Sequence, residues 1–178
     1  MVAPQATTEY QPCPHSDVSI VPPAVEDGVE LWRLATESQV LDVNSRYAYL
    51  LWCRDHAHTS VLARRHGAAV GFVTGYRRPA EPNTLFIWQV AVSAAARGHG
   101  IALRMLDALF DRVDGVDHLE TTITPDNEAS VRLFTAFAER RRAGIVRSEL
   151  FGRPLLGGDH QAEILHRIGP IVRGSGNK

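Results

Sequence analysis

At 178 residues the chain has the length of one domain with a sizeable buried core. Nineteen basic against twenty acidic side chains give a formal net charge of -1, which argues against a nucleic-acid or other polyanion partner. Its two cysteines, Cys13 and Cys53, form no spaced pair, no apolar run approaches membrane-spanning length, and the N-terminus has no apolar leader segment; these features predict a cytoplasmic protein with no membrane partner.

Residues 1–16, with Pro4, Pro12 and Pro14, read as a loose tail and 174–178 as another, leaving one domain over 17–173. Within it the pattern predicts a strand at 18–21, helices at 25–37 and 45–55, and strands at 58–65, 69–77 and 84–92. Gly67 turns the first hairpin of these strands, and Pro79, Pro82 and Asn83 mark the next loop. There follow a helix at 97–114, a strand at 117–124, a helix at 127–141 and strands near 145–150 and 164–169. Mixed strands with interspersed helices predict an α/β sandwich. The run from Leu85 to Val92 is nearly continuous in apolar residues, the mark of a central strand buried on both faces.

That strand leads through a small-residue loop to Arg97, Gly98, His99 and Gly100, and then to Ile101 and Ala102, with Leu103, Leu106, Phe110 and Val113 at helical spacing. A strand, a glycine turn and a helix start make an anion site, because backbone N–H groups approach phosphate oxygens and the helix dipole adds partial positive charge. A Walker loop is excluded, since Ile101 and Ala102 stand where Lys and Ser or Thr are needed. A dinucleotide fingerprint is a poor fit, since bulky Leu103 occupies the third small position and the loop lies mid-chain; Glu120 falls near the required acidic position only by composition. What remains is Arg-x-x-Gly-x-Ala. Further along, Thr124-Pro125-Asp126-Asn127-Glu128-Ala129-Ser130 precedes Leu133, Phe134 and Phe137, with Asp126 expected to cap that helix.

These two motifs, in this order and spacing, resemble the GNAT N-acetyltransferase superfamily. The strings Leu41 to Leu50, Phe86 to Val92, Thr124 to Ser130 and Arg167 to Pro170 resemble more narrowly the L-2,4-diaminobutyrate acetyltransferases of ectoine synthesis. The resemblance implies a three-layer sandwich, with a mixed central sheet of six to seven strands flanked by about four helices. It implies acetyl-CoA as cosubstrate, no metal, a homodimer, and acetylation of the 4-amino group of diaminobutyrate. Its cofactor residues would be Val90, Ala91 and Val92 on a splayed strand, the loop from Arg97 through Gly98, His99, Gly100, Ile101 and Ala102, and Asn127, Ser130 and Phe134. Its diamine site would draw on Asp42, Tyr47, Tyr49, Trp88 and Glu163. Other readings are a GNAT enzyme for another small diamine or amino acid, or a non-catalytic acyl-CoA-binding module.

The substrate carries two ammonium groups and one carboxylate, so its site needs acidic side chains and a cationic or N–H partner. Asp42 fits that need, or it can cap the second helix together with Asn44 or Ser45. Trp88 can wall the pocket with Tyr47, or belong to the core. His160 and Glu163 have metal-like spacing if helical, but no further ligand is evident, and surface polarity explains them as well. His56 and His58 read as a solvated strand edge, and Arg140 to Arg142 as a cationic helix end. An amine with a reference pKa near 10.4 is neutral in only about one part in a few thousand at pH 7, a penalty of roughly 4.6 kcal/mol, so a base is required. Glu163 or His160 is the candidate base, and the N–H of Val90 the candidate oxyanion donor. Many GNAT enzymes place a Tyr where Phe134 stands; Phe134 has no proton to give a leaving thiolate.

Overall fold

The computed structural model describes residues 17–157 and 160–172; both predicted tails lie outside the described residues. In chain order the strands are β1 (Val18–Val21), β2 (Val61–Arg65), β3 (Ala68–Arg77), β4 (Thr84–Val92), β5 (His118–Ile123), β6 (Ile145–Phe151) and β7 (Glu163–Ile168). The helices are α1 (Gly28–Ser38), α2 (Arg46–Asp55), α3 (Ile101–Arg112), α4 (Glu128–Arg141) and the one-turn α5 (Arg153–Leu156). One sheet runs β1-β2-β3-β4-β5-β7-β6, antiparallel throughout except for the parallel pair β4–β5.

Alternation along the strands divides the core into two layers. Val61 and Ala63 of β2 and Val73 of β3 join Met105, Leu106 and Phe110 of α3 and Phe134 and Phe137 of α4 on one face. Leu62 of β2 and Phe72 of β3 join Leu31 and Leu34 of α1 and Tyr49 of α2 on the other. Phe110 and Phe137 meet edge-on at 5.8 Å, locking α3 to α4. The outer half of the sheet differs: along edge strand β6, Val146, Leu150 and Phe151 are exposed, as is Leu155 of α5.

Several predicted boundaries move for identifiable reasons. The third long helix begins at Ile101 rather than at 97, because Gly98 (φ 81°) and Gly100 (φ 68°) are left-handed and stop the helix from extending backwards. A 3₁₀ turn, Val25–Asp27, precedes α1 where continuous helix was expected. Another, Ala57–Thr59, precedes β2, so His56 and His58 are not on a strand edge; His56 instead stacks on Trp52 with ring centroids 4.6 Å apart. The one-turn α5 has no counterpart among the predicted elements. Asp126 does not cap α4; Asn127 does, its side chain accepting from the Ser130 N–H at 3.1 Å. Likewise Ser45, not Asp42, caps α2, accepting from the Ala48 N–H at 3.2 Å.

Candidate active site

Two irregularities of β4 create the site. Its parallel pairing with β5 covers only Thr84–Ile87, so Trp88 to Val92 have no partner on that side and a cleft opens between the two strands. On its other side the register slips: Thr74 of β3 faces Gln89 and Gly75 faces Ile87, leaving Trp88 as the extra residue of a bulge. Gly75 permits this close approach, since a Cβ there would lie 2.7 Å from the Phe86 carbonyl oxygen. The bulge breaks the alternation, so the consecutive side chains of Trp88 and Gln89 both reach α2, through Trp52 and Tyr49 respectively.

At one end of the cleft a groove of about 350 Å³ is lined by Val90, Ala91 and Val92, by Arg97 and Ala102, and by Asn127, Ala129, Ser130 and Leu133. The first backbone bond of α3 runs from the Arg104 N–H to the Gly100 carbonyl, so the N–H groups of Ile101, Ala102 and Leu103 have no acceptor within the helix. A Cβ placed on Gly98 or Gly100 would meet nothing within 4 Å; the loop faces open space. Arg97 is exposed at its rim and donates to the Val92 carbonyl at 3.2 Å. Bare amides, a helix N-terminus and an arginine fit a diphosphate, and the unpaired stretch of β4 fits an amide-bearing arm.

The other end is a groove of about 610 Å³, lined by Asp42, Asn44, Trp88, Gln89, Thr122, Asp126, His160, Gln161 and Glu163 among others. Val40, Leu41 and Asn127 wall both grooves, so the two lie side by side. Trp88 stacks on Trp52 at 4.3 Å, and Trp52 is held by its indole N–H to the Ser60 hydroxyl at 3.0 Å. His160 Nδ1 lies 2.8 Å from the Gln161 carbonyl oxygen, and its Nε2 lies 3.6 Å from the Asp42 carboxylate. The Gln161 carbonyl, with Asp42 adding to it, holds the imidazole pKa above its ordinary value.

Most residues singled out from the sequence thus border one or other of these adjoining grooves, but not all in the expected way. Gly98, His99 and Gly100 form the exposed loop, whereas the Ile101 side chain is buried in the core and offers only its backbone. Phe134 also packs in the core and lines neither groove. Tyr49 is buried with its hydroxyl on Gln89, so it cannot touch a substrate directly. Tyr47 is 68% exposed and lines neither groove. His160 and Glu163 are not on a helix; Glu163 begins β7 and His160 precedes it in a turn. Among the described residues no group of three or more His, Cys, Asp or Glu side chains could hold a metal ion. Gln89 and Thr122 line the groove without any mark in the sequence, and Asn44, a capping candidate there, lines it too. Gln89 and Thr122 sit in strand patterns that read as core, and nothing local marks a bulge.

The family model for acetyltransferase (GNAT) matches residues 25–138. The chain is 54% identical over 164 residues to an L-2,4-diaminobutyric acid acetyltransferase of Streptomyces coelicolor, covering 89% of this chain and 96% of that one. It is 43% identical over 154 residues to the protein of the same name from Marinococcus halophilus, covering 85% and 89%. Among solved structures, the diaminobutyrate acetyltransferase EctA from Paenibacillus lautus, in complex with L-2,4-diaminobutyric acid and coenzyme A, superposes with a TM-score of 0.83 at 36% identity, covering 89% of this chain and 98% of that one. Ard1 from Thermoplasma volcanium, at 16% identity and a TM-score of 0.73, shares the fold. With its strand splay, glycine loop and matched sequence all in agreement, the chain belongs to the GNAT acetyltransferase family.

Proposed function

We propose that the chain transfers the acetyl group of acetyl-CoA to the 4-amino group of L-2,4-diaminobutyrate, giving N4-acetyl-L-2,4-diaminobutyrate, a step of ectoine synthesis. The observation that carries this reading is the junction of the two grooves at Val40, Leu41 and Asn127, beside the unpaired backbone of β4. The loop Arg97–Ala102 takes the diphosphate of acetyl-CoA, and Val90 to Val92 take its arm.

Substrate orientation follows from charge. The α-ammonium and α-carboxylate of an amino acid sit on one carbon, and Asp42 and His160 offer the opposite charges 3.6 Å apart. Asp42 holds the ammonium. His160, whose charged form is favoured by the Gln161 carbonyl and Asp42, holds the carboxylate. Free in solution, the α-amine is the more acidic of the two amines, with a reference value near 8 against about 10.4, so acidity alone favours the wrong nitrogen. Fixing the α-carbon at Asp42 and His160 removes the α-amine from the reaction and leaves the 4-amino group free to reach the thioester.

Glu163, which lines the same groove, takes a proton from the 4-ammonium directly or through water. The neutral amine attacks the thioester carbonyl; a C–N bond forms, the carbonyl oxygen gains charge beside the Val90 N–H, and collapse breaks the C–S bond as the nitrogen gives its second proton to solvent. A thiol with a pKa of about 8.5 departs as thiolate without an acid. The enzyme works in the cytoplasm as a homodimer, in which a second copy covers the apolar edge of Val146, Leu150, Phe151 and Leu155.

The test is thiol release from acetyl-CoA with diaminobutyrate, ornithine and lysine, followed by NMR of the product. Diaminobutyrate is expected to give the highest kcat/KM, with the acetyl group on N4. Faster turnover of another amine reassigns the substrate. Binding of acetyl-CoA without thiol release for any amine makes the chain a non-catalytic acyl-CoA binder.

A further inference from the structure

We infer that Gln89 is a positioning residue that sets the distance between the two substrates, acting through the main chain of Asp42. The inference rests on the reading of the cleft given above. Gln89 is buried, and its amide is used at both ends: Oε1 accepts from the Tyr49 hydroxyl at 3.0 Å, and Nε2 donates to the Asp42 carbonyl at 2.9 Å. A carbonyl can only accept, which fixes the NH₂ towards Asp42 and leaves the amide oxygen for the Tyr49 hydroxyl proton. The orientation of the amide is therefore determined, and Tyr49 holds it from α2.

The segment so held is the 39–45 loop between α1 and α2, which carries Val40 and Leu41, the wall common to both grooves, as well as the Asp42 carboxylate. It is pinned at its start by Ser38, whose hydroxyl accepts from the Val40 and Leu41 N–H groups at 3.4 and 3.3 Å, and at its end by the Ser45 cap. Its middle is tied to the sheet by Gln89, with a longer local contact from Asn44 at 3.4 Å. The residues directly after Gln89 are Val90 to Val92, which line the acyl-CoA groove. One side chain thus joins the strand that holds the thioester to the loop that holds the amine. The bulge at Trp88 is what turns Gln89 to the loop side of the sheet.

Tyr49→Phe and Gln89→Met test this in the full-length enzyme, with KM measured for each substrate separately. Tyr49→Phe keeps the buried ring and is expected to raise the diaminobutyrate KM about threefold to tenfold, the usual effect of one lost hydrogen bond. Gln89→Met also leaves the Asp42 carbonyl with only the longer Asn44 contact and is expected to raise it about tenfold to a hundredfold, with kcat falling and the acetyl-CoA KM within about twofold of the parent. The double variant should be no worse than Gln89→Met, because both changes break one relay. Equal shifts in both KM values, or a lower melting temperature with both KM values unchanged, overturn the inference. Should Gln89→Met fail to fold, Tyr49→Phe decides alone. A parent enzyme that releases no thiol with diaminobutyrate overturns the proposed function and this inference together; an active parent with unaltered variants overturns only this one.

Discussion

His160 and Asp42 lie far apart in the chain, yet they meet at the mouth of the proposed amine groove, and the imidazole there, its pKa raised chiefly by the Gln161 carbonyl, is expected to give the site a pH dependence. The imidazole pKa is raised, so the imidazolium persists to higher pH than in a free histidine and is lost as pH rises through the raised value. Its proposed contribution to substrate binding has the same sign: present in acid, fading in base. The KM for diaminobutyrate is therefore expected to climb with pH while kcat rises as the amine deprotonates. In a His160→Gln variant the KM should start high and lose most of this climb, as a pH series of initial rates on the two enzymes will measure. A retained climb in the variant would remove His160 from carboxylate binding. At the same scale, Cys53 is held in the α1–α2 core, and burial pushes its thiol up to about 12, so it takes no part in the chemistry.

Helix starts do much of the work at the scale of elements. α3 offers its first amides because two left-handed glycines carry the chain into it without side chains. Gly100→Ala places a Cβ on a backbone at φ 68°, which costs about 1–2 kcal/mol of stability and strains the turn leading into the amides proposed to hold diphosphate. The expected result is a raised acetyl-CoA KM with the diaminobutyrate KM little changed, read from substrate-saturation curves. α4 starts at Asn127, whose cap also borders both grooves. Asn127→Ala should lower stability by about 1 kcal/mol in urea unfolding. It should also weaken both substrates, since one wall serves both.

Over the whole molecule the sheet is asymmetrically covered. α1 and α2 shield one face of the β2–β4 half, while β6 at the far edge leaves apolar side chains in water. Covering that edge with a second copy accounts for its composition, and sedimentation of the protein is expected to show a dimer. Val146→Lys with Phe151→Lys should shift it to monomer at micromolar concentration without altering the fold by circular dichroism; a persistent dimer would place the interface elsewhere. Next to that edge, the buried Glu120 of β5 is paired with Arg78 at 3.0 Å and with Arg167, whose other contact is Glu81 at 2.7 Å, so its charge is met within the protein. The same Glu120 had the spacing of a ribose-binding acid in the sequence, and its partners show how little spacing alone means.

Short-range chemistry was legible in the chain itself. Apolar periodicity located the strands and long helices, and the Arg97 to Ala102 glycines marked the anion loop, because each of these preferences acts over a few residues. The bulge at Trp88, the splay of β4 from β5 and the turn of Gln89 towards Asp42 are relations between strands, defined only once those strands pair, and no local pattern encodes them. Folding alone could therefore move Tyr49 and Phe134 from the candidate site into the core, and turn buried Gln89 towards the loop that walls the cleft.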